Sequence, residues 1–233
     1  MKIVLLFPPF TYSNISGPYL SLPLISGYIK KNSNYDVIQE DINLAIISRM
    51  LKDKQLKKRY SELDVQNKKK YNLNLLRFKS FLMRNLIYYN VQEKYWKFLE
   101  GLLDFYFSDN TKNFSQKVKE YNWAISDSDL NNTILNKTVD VFTEFLGVEY
   151  LKKIIPDEKC IVGFSIAFFG QLLPALTLSR TIKNLFPDSI IVFGGNTNSL
   201  ICDKIKSYPQ LFDIVDYFVL SEGEETFLEL AKR

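Results

Sequence analysis

The chain has no histidine among its 233 residues and only two cysteines, Cys160 and Cys202. The first absence removes Ser-His and Cys-His nucleophilic pairs, histidine zinc sites and a histidine axial ligand. The second removes a disulfide framework, and neither cysteine makes a metal site alone. Cys160 opens an apolar run, where a small buried hydrophobe is the expected role. No apolar run approaches the length of a membrane span. The run that begins at Met1 stops at Pro8-Pro9 without a small-residue cleavage site, so it reads as a buried first strand. Cytoplasmic residence is the default expectation. No Gly-x-Gly-x-x-Gly follows that strand and no Walker lysine loop occurs, which weakens a nucleotide-binding reading.

Neither sign of charge dominates, since 30 Lys/Arg stand against 26 Asp/Glu for a net of +4. Residues 45–158 hold 20 of the basic and 15 of the acidic side chains, a net of +5. Without a dense arginine cluster this excess reads as solvated helix faces rather than a surface for RNA, and no nucleic-acid partner is expected. What is abundant is apolar: 46% of residues are hydrophobic, and 18 Phe with 14 Tyr raise the aromatic share to 15%. That is ample for a core.

Lys2 to Phe7 forms a continuous apolar run of the kind expected for a parallel strand covered on both faces. Leu20–Lys31 reads as a helix, Asp36–Glu40 as a second strand with Asp41-Ile42-Asn43 at its end. After a long interval the rhythm resumes. Cys160–Ser165, Ser189–Phe193 and Ile214–Leu220 read as strands; Gln171–Leu185, Asn198–Ser207 and the stretch from Glu222 to Arg233 read as helices. Between the halves, residues 45–158 hold two of nine glycines and one of eight prolines. Apolar residues there recur at helical spacing, as in Leu75, Phe78, Leu82, Leu86 and Tyr89, then Leu135, Val139, Phe142 and Leu146. The polar stretch Ser126–Asn132 reads as a loop. The 18 aromatics of this interval are expected to pack its helices on one another. The pattern predicts an α/β fold: a doubly wound, five-stranded parallel sheet, Rossmann-like or flavodoxin-like, with a large α-helical insertion between strands 2 and 3. Residues 1–44 and 159–233 make the α/β domain and 45–158 the insertion.

In such a sheet, ligands bind beyond the carboxyl ends of the strands where strand order reverses. Three strand ends stand out. Ser165-Ile166-Ala167 is followed by 26 residues and then Gly194-Gly195. A glycine pair there admits either a large flat ligand or a tight turn before a helix. Ser221-Glu222-Gly223-Glu224 puts acidic residues in a first helical turn, which suits the helix dipole as well as a site. The loop after Pro8-Pro9 carries Thr11, Tyr12 and Ser13.

Together these segments resemble the N-terminal cobalamin-binding domain of class B radical SAM enzymes. The resemblance rests on the Lys2-to-Pro9 opening, Asp41-Ile42-Asn43, Val162-Gly163-Phe164-Ser165, Ile182-Lys183, and Pro187 before Gly194-Gly195. It ends at Glu222-Gly223-Glu224 and covers about 1–44 and 159–233. It implies a cobalamin on the sheet's carboxyl edge, its tail slotted near Ser165 and Gly194. The residues implied to contact it are Pro9, Phe10, Thr11 and Tyr12 from the first loop, and Ser165, Ile166, Ala167, Phe169 and Gln171 from the third. Gly194, Gly195 and Asn196 follow strand four, and Glu222, Gly223 and Glu224 strand five. Phe10, Tyr12 and Phe169 would pack against the corrin. Two departures shape the expectation. Pro9 to Gly17 has no Asp-x-His-x-x-Gly, so a protein histidine cannot be the lower cobalt ligand, and Ala167 stands where cobalamin domains generally carry leucine. No Cys-x3-Cys-x2-Cys is present, so a [4Fe–4S] cluster and S-adenosylmethionine would belong to a C-terminal radical SAM barrel that these residues lack. Catalysis by this chain alone is therefore not expected, and the chain reads as an N-terminal fragment or a shortened relative. The competing reading is a recognition module of the same fold that has lost cobalamin and binds a peptide or protein partner.

Overall fold

The computed structural model of the chain describes residues 2–9, 19–86, 92–107, 127–134 and 141–232. Strand β1 (Lys2–Phe7) lies at the interior of an all-parallel sheet of order β2-β1-β3-β4-β5. Its partners are β2 (Asp36–Asp41) on one side and β3 (Cys160–Ser165) on the other; β4 (Ile190–Gly194) and β5 (Tyr217–Phe218) complete the sheet. Lys2 stands opposite both Asp36 and Cys160, so the three strands begin level. This is the expected doubly wound α/β architecture.

The uniform apolarity of β1 has a direct cause in the two layers that cover it. Val4 and Leu6 join Val162, Phe164, Ile191 and Phe193 in one core; Ile3, Leu5 and Phe7 join Ile161 and Val192 in the other. Helices α1 (Ser21–Asn32) and, at the end of the described chain, Glu224–Ala231 cover the second face. The insertion covers the first. Its helices are α2 (Ile42–Met50), α3 (Asp53–Glu62), α4 (Val65–Lys70), α5 (Leu73–Leu86), α6 (Gln92–Phe107), α7 (Asp127–Ile134), α8 (Val141–Leu146) and α9 (Val148–Ile154). Ile46, Met50, Leu56, Leu102, Phe105, Phe142 and Leu151 share one continuous core with Val4 and Phe164. Helix α10 (Leu172–Leu185) and the short α11 (Asn196–Leu200) and α12 (Cys202–Lys206) follow β3 and β4; the last helix, Glu224–Ala231, is α13.

The insertion is locked to the strand it follows. Asp41 caps α2 by accepting the Leu44 N–H at 2.9 Å, so the helix starts on the last strand residue. The Arg49 guanidinium donates to the Leu146 carbonyl at 2.7 Å and lies 5.2 Å from the Phe145 ring centre, while the Tyr106 hydroxyl donates to the Met50 carbonyl at 2.8 Å. The aromatics Phe105, Tyr106, Phe107, Phe142 and Phe145 meet edge-on or tilted with centroids 5.2–6.3 Å apart, as packing of insertion helices requires.

Four local expectations need correction. Asp127–Ile134 is a helix, not a loop: Leu130 and Thr133, one turn apart, are buried, and Arg180 of α10 donates to the Thr133 carbonyl. Asn131 is exposed and Asn132 half-buried on the same helix. The fifth strand is only Tyr217–Phe218, because Ile214 and Val215 are buried at the end of a 3-10 turn (Pro209–Asp213) instead of along the ladder. Asp216 stands just before the strand, its N–H donating to the Ile191 carbonyl at 2.9 Å and its carboxylate accepting the Ile191 N–H at 2.7 Å and the Lys183 ammonium. The helix expected over Asn198–Ser207 is two short ones, starting at Asn196 and broken at Ile201, whose φ −109° and ψ 16° are not helical. On α5 the inward row is Leu73, Leu76, Ser80 and Met83, whereas Leu75 and Phe78 are exposed. Tyr89, Leu135 and Val139 lie outside the described residues.

Gly163 is required where it stands. A Cβ there would fall 2.5 Å from Phe227 Cε2 and 3.2 Å from Leu5 Cδ2, so the missing side chain is the seat of the Phe227 ring of α13. Gly163→Ala should lower stability by about 1–3 kcal/mol through overpacking, read as a lower urea midpoint, and Phe227→Leu in that background should recover part of the loss. An unchanged midpoint for the single variant would show that the ring does not rest on Gly163.

Candidate functional site

Strand order 2-1-3-4-5 reverses direction between β1 and β3, and the crevice beyond their carboxyl ends is where this architecture takes ligands. Pro8 and Pro9 end β1, neither able to donate to a ladder. Tyr19 returns over that end, its ring stacked on Phe7 at 4.7 Å and 19° and edge-on to Phe168 at 5.9 Å. Ser165 ends β3, and its hydroxyl lies 2.7 Å from that of Ser21 in the first turn of α1.

The 26-residue spacing from Ser165-Ile166-Ala167 to the glycines has a structural meaning. Ser165 and Gly194 are Cα partners on the last rung of the β3–β4 ladder. By the alternation of the strands, both project to the α1/α13 face, two residues above Gly163 and Val192. At Gly194 a Cβ would meet nothing nearer than the Phe164 carbonyl oxygen at 3.9 Å. The two glycines therefore do different things. At Gly195, with φ +103°, a Cβ would lie 2.5 Å from the Ile166 carbonyl oxygen and 2.9 Å from its nitrogen. The Ile166 N–H donates to the Gly194 carbonyl at 2.8 Å, and its carbonyl accepts from Thr197 N–H at 3.2 Å. Gly195 thus admits this chain's own β3 loop, whereas at Gly194 a Cβ would make no more than an ordinary contact among the described residues.

Gln171 is fully buried, and its amide is spent inside the protein. Its oxygen accepts from Ala167 N–H at 2.9 Å and Phe168 N–H at 3.1 Å; its nitrogen donates to the Pro8 carbonyl at 2.9 Å. It clips the ends of β1 and β3 together. Pro9 and Ile166 are buried, Ala167 is half-buried, and Phe169 and Asn196 face solvent. Glu222 is exposed; Gly223 precedes α13, whose first turn carries Glu224 and Glu225 at its positive dipole end. Phe10, Thr11 and Tyr12 lie outside the described residues, as does Ser13.

Several further groups at this edge take their character from the folded structure. Ser221 holds φ +62°, a left-handed conformation uncommon outside glycine, and its N–H donates to Ser199 Oγ at 2.9 Å. That bond ties the ends of β4 and β5. Asn198 is fully buried, and neither its amide nitrogen nor its oxygen has a partner among the described residues. A buried amide without partners is costly, about 1–3 kcal/mol for each unsatisfied group. At the β2 end, burial pushes the Asp41 carboxyl above the usual carboxylate range, against the pull of N–H groups from Leu44, Tyr19 and Asn43; neighbouring Glu40 adds to the rise. Glu40 accepts the Tyr150 hydroxyl at 2.6 Å, and burial, then that bond, raises the Tyr150 phenol. Among the described residues no cluster of three metal-ligating side chains occurs. Cys160 is buried at the opposite end of β3, where burial raises its thiol, and Cys202 lies on α12.

No family model, no curated protein and no solved structure matches the chain.

The division of labour between the glycines predicts opposite outcomes. Gly195→Ala should destabilise by about 1–3 kcal/mol from backbone strain alone, and more from the clash with Ile166. Gly194→Ala should stay within about 1 kcal/mol of the wild type, because strand glycine is itself unfavourable. Thermal melts of the two proteins decide it; equal losses would refute the distinction.

Asp41 supplies a pH signature. Because its folded-state pKa lies above the ordinary value, its stabilising balance is complete in acid and shrinks as pH rises through the folded-state value. Asp41→Asn keeps a competent cap and removes the buried charge, so it should raise the urea midpoint at neutral pH. The advantage should fade below about pH 4, the ordinary carboxylate value. A neutral-pH midpoint below the wild type's would contradict this.

Proposed function

We propose that the carboxyl edge of the sheet holds a large flat cofactor of the cobalamin class, and that the chain is the cofactor-binding part of a radical SAM system. One observation carries the reading: Ser165 and Gly194 stand side by side on the last rung of β3 and β4, beside the switch point, and among the described residues a Cβ at Gly194 would meet nothing nearer than 3.9 Å. They lie on the face bounded by α1 and α13, where a narrow ligand tail can enter beside a hydroxyl pair.

The rest of the edge fits the chemistry of such a ligand. A corrin presents a broad apolar ring fringed with amides. Leu20, Phe169, Leu200 and Leu220 are exposed around the edge, on the loops and helix that follow β1, β3, β4 and β5. The hydroxyls of Ser165 and Ser21 offer donors and acceptors for the amide fringe or the tail, and the unpartnered amide of Asn198 belongs to α11, the helix that follows β4. Gln171 and Gly195 act one step back, fixing the loops that present these groups. With no histidine in the chain, the protein's part is to bind and orient the ring and to exclude water from its face. Cobalamin when bound supplies methyl-transfer chemistry. Cys160 and Cys202 lie on separate elements and cannot hold an iron–sulfur cluster, so radical chemistry falls to a separate module with three cluster cysteines.

The test is optical. Protein incubated with hydroxocobalamin and desalted should keep the visible corrin bands at near-stoichiometric level. Gly194→Phe should abolish retention while its circular dichroism stays native. A colourless wild-type protein would sink the reading and leave the edge to a peptide or protein; undiminished uptake by Gly194→Phe would place the cofactor elsewhere.

A further inference from the structure

The positive charge of the chain is concentrated far more tightly than its overall value shows. Residues 52–84, from the residue before α3 to the last turn of α5, carry eleven Lys/Arg and three Asp/Glu, a net of +8; the rest of the chain is therefore −4. All three acids are already engaged. Asp53 pairs with Arg77 and Lys57, Glu62 with Lys58 at 4.0 Å, and Asp64 caps α4 by accepting the Asn67 N–H at 2.8 Å. Lys52, Lys54, Lys69, Lys79 and Arg84 are exposed and enter no ion pair among the described residues.

Two of these helices, α4 and α5, expose apolar side chains that a surface helix ordinarily buries. Val65 is 71% exposed, Leu75 48%, Phe78 60% and Phe81 56%. On α5 the helical period separates two rows. Leu73, Leu76 and Met83 pack on the core with Ser80 buried among them, while Leu75, Phe78 and Phe81 follow at three-residue steps on the outward side. Lys79 sits four residues after Leu75, one turn along the same outer face. The Asp53–Arg77 pair joins α3 to α5, so the lysines of α3 and the apolar row belong to one continuous surface.

We propose that the outer surface of α3–α5 docks peripherally on an anionic lipid bilayer. Phe78 and its neighbours enter the headgroup boundary and the unpaired lysines meet the lipid phosphates. An apolar face rimmed by lysine is the pattern that lies in a membrane interface, and each Lys or Arg near such a surface contributes favourably. Nucleic acid suits the surface less well. Eight of the eleven cations are lysines, without the bidentate reach of arginine, and aliphatic Val65 and Leu75 would face phosphate with nothing to stack on. The proposal is independent of the cofactor reading, because it uses the insertion and no residue of the sheet edge.

The experiment is co-sedimentation of the full chain with vesicles of equal parts phosphatidylcholine and phosphatidylglycerol, beside pure phosphatidylcholine vesicles. The wild type should pellet with the mixed vesicles only, and less at high salt. Phe78→Asp and the double variant Lys69→Glu/Lys79→Glu should each lower partitioning by at least about tenfold. Both change exposed residues, so native circular dichroism is expected and is checked. No pelleting with mixed vesicles overturns the proposal. So does pelleting that Phe78→Asp leaves unchanged, or retention of an RNA oligomer without vesicle binding.

Discussion

The structure depends on β1 being buried from both sides by two layers, one drawn from the two ends of the sequence and one from its middle. Its side chains alternate between two cores, one closed by α1 and α13 and the other by the insertion and α10. A strand in that position cannot spare a polar residue on either face, which is why Ile3 to Phe7 are all buried. Pairing β1 with β3 requires the chain to close a loop of more than a hundred residues, an entropic cost that a bare linker would not offset. The insertion offsets it by contributing its own apolar residues to the same core as Val4, Leu6 and Phe164. It is a layer of the fold as well as an addition to it.

The described part of the carboxyl edge is held together by hydrogen bonds between strand ends. Each strand end there is tied to the next by a specific contact: β1 to β3 through Gln171, β3 to β4 through Ile166 seated on Gly195, and β4 to β5 through Ser199 and Ser221. Such ties hold loops in one arrangement before a ligand arrives, which lowers the ordering cost of binding. They also spend the polar capacity of some residues. Gln171 has no amide left for a cofactor; the Ser165 hydroxyl meets that of Ser21, and the Gly194 carbonyl accepts from Ile166. The strained Ser221 and the orphaned Asn198 are the two places where this edge departs from ordinary satisfaction. Strain and unmet polar groups of this kind concentrate at working sites.

Much of the sheet was legible in the sequence, because two-sided burial leaves unbroken apolar runs bounded by turn formers; β3 begins and ends where expected. β5 was not, since Ile214 and Val215 are apolar for the sake of a 3-10 turn packed on the core, which a short window cannot tell from a strand. Asp127–Ile134 was missed because Leu130 is the one apolar residue within the polar run 126–132, too sparse a pattern to stand out from a loop. The outward row of α5 has perfect helical period but faces away from the core, so periodicity identified the helix and not its buried side. At the site, the Ser165-to-Gly194 spacing corresponds to a register contact on the last rung of the β3–β4 ladder. Ser21, Ser199 and Asn198 were invisible: their importance lies in what folding brings beside them, and no local signal marks it. Phe10, Thr11 and Tyr12 lie outside the described residues and add nothing on either side.

The central claim is that ligand binding belongs to the carboxyl edge at the β1/β3 switch point. Amide hydrogen exchange with and without hydroxocobalamin tests it most directly, because it reports location as well as binding. The account predicts slower exchange over 165–171, 194–199 and 219–224, with the amino edge around Ser189 and Asp216 unchanged. Exchange left unaltered at all three carboxyl-edge segments, or protection appearing only at the amino edge, would contradict it.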